Sequence, residues 1–297
     1  MLKRSAMKIA YLSSSVTLPG SPTRRSDAFE HDYMMAALRP AFALHGVEVE
    51  DVAWDDPAAD WPDYDAAIIG TTWDYWDRQA EFLDALGQIE VLTHLFNPVS
   101  LVSWNIHKAY LRDLEARGAR IIPTVWLSQA DAVSAASAFD RLQSDDVVFK
   151  RQVGAGAHGQ FRLSRGAPLP HMPHPMMAQP FLPTIQSEGE YSFIFVGGTF
   201  SHALVKRAVP GDYRIQSAYG GKETAIHPNT EDLDEAAAII AMLDEVPLYA
   251  RVDMVRGDDG RLLLMELEVI EPYLYPREGP SLGTLLAEET LKRIEGR

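Results

Sequence analysis

Apolar and polar positions along the first hundred residues follow two alternating rhythms. Residues 8–13 (KIAYLS) form a short apolar run, followed by a Ser/Pro/Gly/Arg-rich stretch through Arg25. Residues 28–45 carry apolar side chains at helical spacing and stop at Gly46, where a glycine suits the position just past a helix end. Residues 47–54 alternate apolar and acidic positions, 65–70 (DAAIIG) read as a buried strand, and 79–86 are again amphipathic. Strands alternating with helices predict a parallel sheet with helices on both faces.

The texture changes at Asn97-Pro98. Residues 106–117 spell a helix with Tyr110, Leu111 and Leu114 on one face, and this helix carries Lys108 and stops at Gly118. A strand at 120–127, an alanine-rich helix at 129–142 and a strand at 147–150 lead into a glycine-rich loop. From Gln160 the pattern is mostly β, at 161–164, 190–196, 200–206, 213–218, 249–255 and 262–268. Helices at 229–243 and 281–293 interrupt it, and the Pro-rich 167–175 reads as a loop. The predicted class is α/β followed by α+β.

Composition removes whole classes of function. With 46% hydrophobic and 23% charged residues in 297, the chain is an ordinary globular protein with a sizeable core. Lys plus Arg number 27 against 42 Asp plus Glu, a net charge of -15 with no basic patch, so nucleic acid is not an expected partner. The absence of cysteine excludes disulfides, thiolate metal sites and cysteine nucleophiles. No apolar run approaches the roughly 18 residues of a membrane span. The start, MLKRSAMKIAYLSSS, lacks a cleavage-site pattern, so no membrane partner and a cytoplasmic location are expected.

The sharpest local pattern is RVDMVRGDDGRLLLMELE, residues 251–268. With Asp259-Gly260 as a two-residue hairpin turn, Asp253 falls opposite Glu266 and Arg251 opposite Glu268, all on one face. A loop of odd length would move them off that shared face. Facing acids repel unless something positive lies between them, so neutralising Asp253 or Glu266 should relieve strain. A divalent cation such as Mg²⁺, shared with substrate phosphates, is one candidate. A solvated polar face with an Arg–Glu pair is the other, and both stand on these residues alone.

Gly154, Gly156 and Gly159 fit GxGxxG, but a strand rather than a helix follows, which removes the dinucleotide reading. A glycine loop between two strands instead suits closure over nucleotide phosphates, where backbone N–H groups must approach oxygens. Lys150 ends the strand before it, and Lys108, Lys206 and Arg214 are further cations able to offset a triphosphate. Taken singly, each also reads as ordinary surface charge.

In this order the parts resemble the ATP-grasp carboxylate–amine ligases over residues 97–272. The resemblance implies an ATP-grasp fold with a Rossmann-like pre-ATP-grasp domain at 1–100. A central lid domain at 101–182 and a magnesium-binding domain at 183–297 complete it. It implies ATP and Mg²⁺, with two ions expected and Mn²⁺ as a substitute. Lys108 and Lys150 match the phosphate-binding lysines, and Gly154, Gly156 and Gly159 the flexible lid. Gln179, Pro180, Phe181 and Leu182 match the adenine-binding linker, and Glu190 the ribose-binding acid. Asp253, Glu266 and Glu268 match the metal ligands, although Glu268 stands where many members carry Asn. Arg251 and Arg214 fall where catalytic arginines face the acyl phosphate and the tetrahedral oxyanion, and Lys206 adds to charge neutralisation.

The implied reaction is phosphorylation of a carboxylate by ATP, followed by attack of a nitrogen nucleophile. The text near Trp73, KRxxxGDYRxQxxxGG from Lys206 and ELExIEPYL from Glu266 is similar to a small bacterial subgroup of these ligases. The characterised member of that subgroup cyclises O-ureido-D-serine to D-cycloserine, so the resemblance implies a role in antibiotic biosynthesis. The expected partner is thus a small amino-acid-like substrate touched by Asp74, Arg214 and Glu268, in a monomer or a homodimer. The alternatives are an intermolecular amide ligase on a small amino acid, a silent ATP-binding regulator, and a kinase acting on a non-carboxylate acceptor. Trp73 to Trp76 and the Ser13 to Ser15 loop sit at carboxyl ends of strands, where α/β sheets bind ligands or pack their neighbours. His171 and His174 flank a proline in a loop and offer no defined metal geometry.

Overall fold

The structure is a computed structural model that describes residues 7–154, 159–209 and 220–296. Gly156, His158, Arg214 and the strand expected at 213–218 lie outside the described residues. The first sheet contains β1 (Met7–Ser13), β2 (Val47–Ala53), β3 (Ala66–Ile69) and β4 (His94–Phe96), all parallel in the order β2-β1-β3-β4. Helices α1 (Phe29–Ala43) and α2 (Gln79–Leu92) make two of the three crossovers, β1 to β2 and β3 to β4, while β2 joins β3 without an α-helix.

Asn97, at the change of texture, joins this sheet to the rest of the molecule. It holds a left-handed φ of 58°, a region Asn tolerates better than most residues. Its amide donates to Tyr249 O at 3.0 Å and Val269 O at 2.7 Å, and accepts from Leu248 N at 2.7 Å. Next come α3 (Val99–Asn105) and α4 (Tyr110–Ala116), with Lys108 in the turn between them. The single helix expected at 106–117 is therefore corrected. Its first residues turn so that the Lys108 N–H reaches Gln152 O at 2.8 Å.

The second sheet is antiparallel, ordered β5-β8-β6-β7. Its strands are β5 (Val125–Leu127), β6 (Asp146–Arg151), β7 (Phe161–Ser164) and β8 (Met176–Pro180), with α5 (Ala132–Leu142) packed against it. After α6 (Thr184–Ser187), the third sheet contains β9 (Glu190–Val196), β10 (Thr199–Arg207) and β11 (Lys222–Ile226). Helix α7 (Thr230–Ala241) precedes β12 (Tyr249–Arg256) and β13 (Leu262–Glu268), giving the antiparallel order β11-β10-β9-β12-β13. The chain then returns as α8 (Leu282–Glu295) to pack on α1 through Leu282 and Leu286. Gly283 permits the close approach, since a Cβ there would lie 2.3 Å from Ala37 O.

The β12–β13 hairpin departs from the expected turn yet keeps its pairings. Gly257 N–H bonds Arg261 O at 2.8 Å, closing a three-residue loop with Gly260 at φ 81°. That odd loop alone would flip the facing residues. Met265 is left unpaired as a β-bulge, which restores the register and leaves Asp253 opposite Glu266 and Arg251 opposite Glu268. The outer edge of β13 is covered rather than exposed. Asn105 Nδ2 donates to Leu267 O, the Leu267 N–H reaches the Tyr110 hydroxyl, and Leu264 N–H reaches Arg120 O. This cover places Lys108 beside the acidic face.

Candidate active site

The acidic face is neutralised by side chains from β9, β10 and β12. Asp253, only 2% exposed, accepts from Arg251 Nε at 3.1 and 3.0 Å and from Lys206 Nζ at 3.2 Å, and the Ser192 hydroxyl also bonds it. Burial opposes this charge, but Arg251 and Lys206 hold the carboxyl down to about 2. Lys206 also pairs with Glu190, directly opposite it across the β9–β10 ladder. Burial pushes Glu190 up to about 7 against the pull of that lysine. Arg251 pairs with Glu268 as well and donates to Tyr273 O at 2.9 Å. Glu268 is likewise pushed up to about 7 by burial, with Arg251 pulling the other way.

These contacts correct the expectation that Asp253 and Glu266 strain the hairpin when no metal is bound. Their charges are answered by Lys206, Arg251 and Lys108, so neutralising an acid would strand a cation rather than relieve repulsion. Lys108 pairs with Glu266 and donates to Gly154 O at 3.0 Å, tying the start of the glycine loop to β13. Among the described residues, no group of three acids or histidines is gathered as metal ligands would be. The donor set is nonetheless carboxylate oxygen from adjacent strands, the hard-ligand chemistry that suits Mg²⁺.

Two features fit a nucleotide. Lys150, at the end of β6, makes no ion pair among the described residues, and burial lowers its pKa. Glu266 and Glu190 act on this ammonium without pairing with it, and a desolvated ammonium lacking a direct counter-ion suits a phosphate. Gln179 in β8 is 2% exposed and donates to Thr124 Oγ1 at 3.0 Å, while its Oε1 has no partner. A buried orphan acceptor suits an exocyclic amine. Pro180 closes the strand; beyond it, the Phe181 ring lies 3.4 Å beneath the Arg162 guanidinium, and Leu182 leads into α6. Gly154 and Gly159 flank the loop, both with positive φ.

With this geometry in hand, relatives place the chain. Residues 9–97 match the family described as D-cycloserine synthetase DcsG, N-terminal domain. The cycloserine biosynthesis protein DcsG of Streptomyces lavendulae is 30% identical over 269 residues, covering 82% of this chain and 88% of that protein. The chain belongs to the DcsG family of ATP-grasp ligases. The crystal structure of D-cycloserine synthetase DcsG agrees at a TM-score of 0.81 and 26% identity, covering 97% of this chain and 99% of that one. The ATP-grasp ligase PsnB, complexed with minimal precursor, Mg and ADP, matches at a TM-score of 0.62 and 12% identity, over 97% and 98% of the two chains. The fold is therefore the ATP-grasp fold, and the protein is an ATP-dependent ligase.

Within this DcsG-family site, Glu271 is a carboxylate that pattern reading passed over. It follows β13 by three residues, in a segment with no periodicity, and its only sequence signal is its place in ELEVIEP. Burial, then the charge of Glu268, pushes its carboxyl up to about 8, with Tyr75 as a hydrogen-bonding neighbour. Asp74 is held within the N-terminal unit. Trp54 Nε1 donates to one of its oxygens at 2.8 Å and Arg78 Nη1 to the other at 3.4 Å. The Ser13–Ser14 end of β1 is packed shut, with the Ser14 and Thr17 hydroxyls both donating to Thr71 O at 3.2 and 2.9 Å. Among the described residues, no helix is long and apolar enough to cross a membrane.

Proposed function

We propose that this protein uses ATP and Mg²⁺ to activate the carboxylate of O-ureido-D-serine and close it to D-cycloserine, releasing ADP and phosphate. The observation that carries this reading is 30% identity, over 82% of the chain, to a protein of cycloserine biosynthesis. ATP supplies the phosphoryl group that turns the carboxylate into a good electrophile, and Mg²⁺ shields its charge. Lys150 and Lys108 are read as phosphate-binding groups, Gln179 to Leu182 as the adenine seat, and Glu190 as the ribose contact. Asp253, Glu266 and Glu268 would hold the metal, two ions fitting their number, and Mn²⁺ would serve in its place.

Arg251 would face the acyl phosphate and the oxyanion formed on attack, where a fixed guanidinium stabilises developing charge, and Arg214, outside the described residues, is read in the same role from the sequence. The nucleophile is the oxygen-bound nitrogen of the same molecule, so holding one substrate folded supplies the effective concentration. The carbamoyl group on that nitrogen leaves by hydrolysis as carbon dioxide and ammonia. The glycine loop, in a lid spanning 101–182, would keep water from the acyl phosphate. No separate amine pocket is needed. Incubation with ATP, Mg²⁺ and O-ureido-D-serine alone should yield ADP and the cyclic product. ADP release only on adding a separate amine would instead support an intermolecular ligase on a small amino acid.

A further inference from the structure

We propose that Glu271 is the residue that reads the substrate's α-ammonium group and so restricts this ligase to α-amino acids. The inference rests on the proposed function only in taking the substrate to be a small carboxylic acid activated by ATP. Four other acids line the same site, and each is paired with a cation of the protein. Asp253 has Arg251 and Lys206, Glu190 has Lys206, Glu266 has Lys108, and Glu268 has Arg251. Glu271 has no ion pair among the described residues, although Lys108 and Glu268 are close enough to act on its charge. A half-buried carboxylate in that position lacks the one thing a zwitterionic substrate brings besides its carboxylate.

The backbone around Glu271 is held from two sides. Trp73 Nε1 donates to Glu271 O at 3.3 Å. Just before it, the Tyr249 hydroxyl lies 2.8 Å from Ile270 O and 2.6 Å from Ile69 O at the end of β3. The Tyr75 hydroxyl, buried on the loop that follows β3, neighbours the carboxyl itself. Glu271 therefore sits where the carboxyl edge of the first sheet meets the acidic face of the third. In an α-amino acid the ammonium is one carbon from the carboxyl carbon. Its reader must therefore lie beside the phosphoryl-transfer residues without being one of them. Glu271 meets that requirement, three residues beyond Glu268. The rigid frame also means that a substrate lacking the ammonium cannot draw in another group to replace it.

The test uses the full chain with Mg²⁺–ATP and hydroxylamine as a common trap for the acyl phosphate. Each acid in a panel of small amino acids, O-ureido-D-serine included, is paired with its deamino counterpart. ADP release is measured for the wild type, Glu271→Gln and Tyr75→Phe, and Mg²⁺–ATP affinity is measured by equilibrium binding. The wild type should favour the amino form by about 10²-fold or more, since the Glu271 carboxyl would otherwise be left without a counter-ion. Glu271→Gln should cut that preference at least tenfold through a raised KM, and Tyr75→Phe should weaken it less, with nucleotide affinity unchanged in both. A preference that survives in Glu271→Gln, or a wild type that accepts the deamino acids equally, overturns the assignment. If Glu271→Gln fails to bind nucleotide, the Tyr75→Phe comparison decides, and an undiminished preference there counts against it. Activity on other amino acids but not on O-ureido-D-serine would overturn the cyclisation reading while leaving the role of Glu271 to be decided by the same ratios.

Discussion

Replacing Asp253 with Asn will abolish turnover and also destabilise the fold. Its carboxylate is buried and lies between Arg251, Lys206 and Ser192, so it anchors two cations of the site at once. The carboxyl is held down to about 2, so the charge is present at every working pH. Removing one member of a buried pair costs on the order of 3–5 kcal/mol, because the remaining charge stays desolvated. Arg251 keeps Glu268 and Lys206 keeps Glu190, which favours the lower end of that range. For a chain of this size the loss should lower Tm by on the order of 10 °C. Circular dichroism melts and ADP release on the same preparation would check both halves. A variant as stable as the wild type would mean that the network does not hold the hairpin, and retained turnover would remove Asp253 from the metal and phosphate machinery.

Lys150→Met should show the opposite combination, lost activity without lost stability. The lysine has no ion pair among the described residues, and burial disfavours its charge more than the nearby Glu266 and Glu190 favour it, so the fold gains no net stability from that charge. Methionine keeps the apolar stem and removes the ammonium, leaving Tm unchanged or raised. Loss of one preorganised charge from a phosphoryl-transfer site should lower kcat by about 10²–10³-fold or more and weaken ATP binding. Equilibrium nucleotide binding and steady-state kinetics measure the two effects separately. Unchanged kinetics would place Lys150 away from the phosphates.

The contrast between these two residues shows what a linear sequence reveals. Strands with clean alternation and strong punctuation were legible, and β9 and β13 span the predicted 190–196 and 262–268. The facing of Asp253 and Glu266 was legible too, though for an incomplete reason. A three-residue loop and a bulge at Met265 compensate each other, and no local signal announces such a pair of irregularities. Short elements such as β4 and α6 are too brief to carry a period.

The break before Tyr110 was hidden because Lys108 is bound to residues distant in sequence, Glu266 and Gly154. The same holds for the charges. Which cation answers which acid depends on β9, β10 and β12 lying side by side, so the apparent repulsion in the hairpin was a product of reading it alone. Glu271 was missed because it follows the strand, where alternation has ended and only tertiary contacts give it meaning.

The most direct test of the central claim follows the oxygen that leaves the carboxylate. With O-ureido-D-serine labelled by heavy oxygen in its carboxylate, activation as an acyl phosphate transfers one labelled oxygen to the phosphate released with ADP. Mass spectrometry of that phosphate should show the label in step with D-cycloserine formation and without any added amine. Unlabelled phosphate accompanying product would contradict carboxylate activation.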